Sequence, residues 1–169
     1  MLLLALLAAC SREPVQLSSY EWVDPAAVKA PIPLFPGATL LTGQTDLFRR
    51  ARRLSVPEGA APQNVVLVLY EVNAPLAAVE AYYTGAIGAT SDAPPSIKRS
   101  NGDFAADEVS LVPILTKLNL PHSRGVATGS YRSVVISGGP GRPTVSLQRP
   151  YRDFVLDRIV DRTSILISD

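Results

Sequence analysis

The feature that most constrains the fold is the run Val65 to Val72, read VVLVLYEV. A continuous stretch of β-branched and apolar residues has no wet face, so it suits a strand covered on both sides, at the centre of a sheet. Directly after it, Asn73 is predicted to cap a helix from Pro75 to about Ala86. Proline fits the first turn, where its missing N–H removes no hydrogen bond. Leu76, Val79, Tyr83 and Ile87 then fall on one face at helical spacing, and Gly85 and Gly88 mark the end. Strand, short turn and amphipathic helix form the expected nucleus.

Other strands are predicted to dock on this nucleus. Pro36-Gly37 sets a turn into a first strand at Thr39–Thr42, because proline fixes φ and glycine supplies a positive one. Leu47–Val56, read LFRRARRLSV, is expected as a second strand at an edge, with Arg49, Arg50, Arg52 and Arg53 discouraging pairing with other chains. The same arginines are the candidate contacts for anionic lipid heads or envelope polymers. Thr90–Asp103 reads as a surface loop, and Phe104–Leu120 as a strand around Val109–Val112 followed by an irregular or helical piece. Val126–Ser137 and Thr144–Arg149 form a hairpin across a glycine-rich loop. That loop has no phosphate-binding spacing and opens no helix. Tyr151–Asp161 is expected as a short helix, with a strand pair as the alternative, and Thr163–Ser168 as the closing strand. The fold class is therefore α+β: a mainly antiparallel twisted sheet of about five to seven strands, with one main helix, about 75–86, on one face.

The N-terminal run MLLLALLAAC constrains location instead. About 20 apolar residues are needed to cross a bilayer, so this run suits the core of a signal peptide. Leu7-Ala8-Ala9-Cys10 resembles the lipobox of bacterial lipoproteins. The resemblance implies cleavage before Cys10, a diacylglycerol on its sulfur, and acylation of the new amino terminus. Two or three acyl chains give stable anchoring where one gives marginal binding. By the same family's sorting rule, Ser11 permits passage to an outer membrane where the cell has one. Residues 1–9 are then a signal peptide and 10–33 a proline-rich tether with a reach of roughly 75 Å when extended. Residues 34–169 form one globular domain. Trp22 and Tyr20 are expected either at the lipid headgroups or on the domain surface. The turn Phe35-Pro36-Gly37-Ala38, taken with Val79 and Tyr82-Tyr83 on the helix, resembles the tyrosine-proline-glycine-alanine entrance of small exported bacterial domains of unknown function, with Phe35 in place of tyrosine.

Composition narrows the chemistry. A formal net charge of +1 implies no polyanionic partner such as nucleic acid. The single cysteine is assigned to lipid, which leaves no disulfide, and one histidine removes most transition-metal sites. His122 lies in a Pro-His-Ser-Arg stretch with no nucleophile elbow near it. Asp103, Asp107 and Glu108 lack the ligand alternation of a calcium loop. No cofactor and no metal is expected. The leading expectation is a non-enzymatic envelope lipoprotein that binds or scaffolds another envelope component. The alternative is a carrier for an apolar or amphiphilic small molecule, held between helix and sheet by Tyr70, Leu76, Val79 and Tyr83. An envelope enzyme acting on glycan or peptide is third.

Overall fold

A computed structural model describes residues 21–22, 24, 31–54, 64–119 and 128–169. Cys10, the lipobox residues Leu7, Ala8 and Ala9, Ser11, Tyr20 and His122 lie outside the described residues. The chain forms β1 (Glu21–Trp22), β2 (Thr39–Leu40), α1 (Thr42–Leu54), β3 (Asn64–Val65), β4 (Leu67–Val72), α2 (Leu76–Gly88), β5 (Ser96–Asp103) and α3 (Phe104–Lys117). It continues through β6 (Ser130–Ser137), β7 (Thr144–Arg149), β8 (Tyr151–Asp153), β9 (Arg158–Val160) and β10 (Thr163–Ser168). Six strands make one antiparallel sheet in the order β2-β4-β10-β7-β6-β5. The architecture is α+β. β4 is an inner strand, as its sequence requires, with β10 on one side and β2 on the other.

Helix α2 covers one face. Leu76, Val79, Tyr83 and Ile87 are its buried residues, the face expected from their spacing. They join Val68 and Val72 of β4, Val134 and Ile136 of β6, Val145 and Leu147 of β7, and Ile165 and Ile167 of β10 in one core. Pro75, not Asn73, is the residue that precedes the first helical turn, and no side chain caps it. The turn before it is held from outside the helix: Arg149 Nη1 and Thr163 Oγ1 each donate to the Ala74 carbonyl at 2.7 Å.

The Phe35-Pro36-Gly37-Ala38 turn closes as expected, with Ala38 N–H on the Phe35 carbonyl at 3.0 Å and Gly37 at φ 76°. It docks on the paired tyrosines of α2. Tyr82 donates to the Leu34 carbonyl at 3.0 Å, the Tyr83 hydroxyl accepts from Phe35 N–H at 3.2 Å, and the Phe35 and Tyr82 rings meet edge to face at 5.0 Å. The residues that carried the sequence resemblance are therefore one packing unit.

Four expectations are corrected. Leu47–Val56 is not a strand: Thr42–Leu54 is helical, with Leu47 buried. Ser96–Asp103, expected as loop, is the outermost strand β5, paired along its length with β6. Val109–Val112 lies inside helix α3, whose start is fixed by Asp103 Oδ1 accepting from the N–H groups of Ala105 and Ala106. Tyr151–Asp161 adopts the alternative strand pair, with Tyr151 opposite Val160. Its turn is held by Asp153 Oδ1, which accepts from Val155 and Leu156, so Val155 and Leu156 stand exposed at the tip. There are thus three helices of similar length among the described residues, where one main helix was expected.

Part of the expected tether is also built into the domain. β1 pairs in parallel with β3, and Ile32 belongs to the core.

Candidate functional site: a two-part groove between helices α1 and α3

Strand alternation divides the sheet into unlike faces. On β7 and β10 the side chains turned to α2 are Val145, Leu147, Ile165 and Ile167, whereas Ser146, Gln148 and Ser164 turn the other way. On that second face α1 packs at β4, near one edge of the sheet, and α3 packs at β5, the other edge. The middle strands are left as the floor of a groove.

The apolar part of the groove has a volume of about 210 Å³. Leu47, Phe48 and Ala51 of α1 line one wall, and Leu111, Ile114 and Leu115 of α3 the other. Phe154, at the start of the β8–β9 turn, closes an end, and its ring lies 6.2 Å from that of Phe48. A second space of about 210 Å³ shares Phe48, Leu111 and Phe154 with the first. Its further lining is Phe104 and five polar residues, Asp107, Gln148, Tyr151, Arg152 and Ser164.

These polar groups are held in place. Arg152 has a side chain only 5% exposed and pairs with Asp157 at 2.9 Å, while its guanidinium lies 5.1 Å from the centre of the Phe154 ring. Gln44 of α1 donates to the Arg152 carbonyl at 3.0 Å, which ties helix to hairpin. Tyr151 donates to Glu71 Oε2 at 2.6 Å, and Glu71 in turn pairs with Arg162 at 2.8 Å. Burial, and then the carboxylate of Glu71, push the Tyr151 hydroxyl well above the ordinary tyrosine range. Asp107 accepts a hydrogen bond from Tyr131, and this bond first, burial second, raises that hydroxyl to about 12. Among the described residues no group of three or more His, Cys, Asp or Glu is placed to hold a metal ion.

The residues singled out in the sequence lie elsewhere. Leu76, Val79 and Tyr83 are packed in the core between α2 and the sheet, so the space expected there is filled by these side chains themselves. Tyr70 faces a cleft of about 350 Å³ beside Ile32, Leu34 and Ile167. Burial raises its hydroxyl, with Asp24 adding to the shift. Of the four arginines, Arg49 donates to the Leu67 carbonyl at 3.0 Å and lies 5.0 Å from the centre of the Trp22 ring, and Arg53 lies 5.4 Å from it. Two of the charges expected to face a surface are thus stacked on an indole, and Trp22 is held by the domain. Arg50 and Arg52 are exposed.

The groove residues escaped the sequence reading because α1 and α3 were not read as helices. The signal was present in Leu47, Ala51 and Leu54, spaced four and three apart beside Phe48, which is a helical stripe. No helix among the described residues is long and apolar enough to cross a membrane. No protein-family profile, curated protein or solved structure matches the chain.

Proposed function

We propose that the protein is a non-enzymatic binding module of a bacterial cell envelope, anchored to a membrane by lipid on Cys10 and presenting the α1–α3 groove to another envelope component. The observation that carries the anchor is the run Leu2–Ala9 closing on the chain's only cysteine. A thiolate is the strongest nucleophile the segment offers, which suits it to alkylation beside unreactive serines. The groove supports a binding role because it is concave and mostly apolar with a few convergent polar groups, the usual make-up of a ligand site.

Growth with an alkyne-tagged palmitate tests the anchor. The wild-type chain takes up label and sediments with membranes, whereas Cys10→Ala takes up none and moves to the soluble fraction. Unchanged membrane association of Cys10→Ala would sink the proposal.

A further inference from the structure

The two halves of the groove meet at a shared wall, and the chemistry changes across it. On one side every lining residue is apolar, from Leu47 and Ala51 to Leu115 and Leu118. On the other, Gln148, Ser164, Arg152 and Asp107 converge. Phe48, Leu111 and Phe154 belong to both. Each space is about 210 Å³, below the roughly 300–1,000 Å³ of an ordinary ligand pocket, so a small ligand suits either one and a larger one must reach past their shared residues. A ligand that fills both must be apolar at one end and polar at the other.

The charges decide what kind of polar end. Arg152 is neutralised by Asp157 at 2.9 Å. The further carboxylate in the lining, Asp107, then leaves no surplus of positive charge to receive an anion. For a cation, the Asp107 carboxylate is already engaged, accepting from the Tyr131 hydroxyl. Gln148 offers a carboxamide, with both donor and acceptor, and Ser164 a hydroxyl that donates to the Gln148 carbonyl at 3.4 Å and can still accept. The complement is a small uncharged head with hydroxyl groups. We infer that the groove between α1 and α3 binds a single-chain amphiphile with such a head, of monoacylglycerol type, its acyl chain between the helices and its head over Gln148 and Ser164. The inference rests on reading the protein as a binding module and is independent of its lipid anchor.

The test uses the full-length chain carrying Cys10→Ala, so that no attached acyl chain competes, titrated calorimetrically with monodecanoylglycerol below its micelle concentration. The expected result is saturable one-to-one binding and a rise in melting temperature, since a ligand that binds only the folded state stabilises it. Ile114→Glu places a charge at a groove position already 42% exposed, and is expected to weaken binding at least tenfold while circular dichroism shows an intact fold. Gln148→Leu is expected to weaken monodecanoylglycerol binding several-fold. Leu40→Glu, at the exposed β2 edge, is expected to bind as before. Absence of saturable binding, or binding indifferent to Ile114→Glu, would overturn the inference. Decanoate or decyltrimethylammonium binding as tightly as monodecanoylglycerol would overturn the assignment of the head. A wild-type chain that took up no palmitate label in the anchor experiment would leave this result standing, so the two readings fail separately.

Discussion

Gly102 has no room for a side chain. A Cβ there would lie 2.2 Å from Cζ of Tyr131, its partner across β5 and β6, so the tyrosine ring lies flat over the glycine. That position lets the ring meet Phe104, 5.0 Å away, and its hydroxyl reach Asp107 in the groove. Gly102→Ala must push the ring aside, at a cost of roughly 1–3 kcal/mol, as for other forced overpacking. A urea melt measures the loss, and the Tyr131 hydroxyl is expected to titrate back toward its ordinary value of 10.0 once parted from Asp107. Tyr83 makes a related point. It is fully buried, and burial raises its hydroxyl to about 12. Because the folded values of Tyr83 and Tyr131 lie above the ordinary value of 10.0, their contribution to stability is whole below pH 10 and is lost as pH rises through 10 to 12. Absorbance at 295 nm across that range is expected to show tyrosinate forming late, together with unfolding. Tyrosinate that forms fully by pH 10.5 in a folded protein would contradict this.

At the level of elements, α1 does what an edge strand would otherwise do. β2 pairs with β4 only at Thr39–Glu71 and Leu40–Tyr70. Beyond it, Leu41 N–H bonds the Leu69 carbonyl at 2.9 Å, Thr45 Oγ1 accepts from Leu69 N–H at 3.0 Å, and Arg49 covers the Leu67 carbonyl. Side chains of a helix thus complete the ladder of β4, one of the ways a sheet avoids an open edge. Thr45→Val keeps the shape but strands a buried N–H, which costs about 1–3 kcal/mol, and Thr45→Ser is expected to restore most of it in the same melt. The arginines misled the sequence reading for a physical reason. Charge on an edge strand and charge on the outer stripe of an amphipathic helix look alike until the apolar spacing is counted. The charged edge does exist, but at Lys98 and Arg99 of β5, both exposed. β5 was hidden because SIKRSNGD pairs on one side only and needs few apolar residues to do so. By contrast β4, α2, β7 and β10 were legible, since each buries a regular apolar face and the pattern must follow the geometry. α3 was obscured by Pro113, which stands inside the helix.

For the whole molecule, the sequence placed one helix against one face and left the second face undescribed, and the groove belongs to that second face. Its walls come from segments about 60 residues apart, so no local motif announces it; the polar residues Gln148 and Ser164 of its floor belong to an ordinary alternating pattern that gives no sign of what lies above them. The same holds for Trp22, whose place under Arg49 and Arg53 no spacing foretells. That stack changes how far the domain can travel. With lipid on Cys10, as proposed, only 12 residues separate the anchor from Trp22, a span of at most about 40 Å, comparable to the thickness of one bilayer with its headgroups. The domain is therefore moored close in rather than cast far out. The mooring carries its own gauge, because the chain has a single tryptophan. Arg53→Ala is expected to shift its emission to the red and expose it to acrylamide while far-UV circular dichroism stays unchanged. β1 stays paired with β3 in such a variant, so the mooring point holds while its gauge responds.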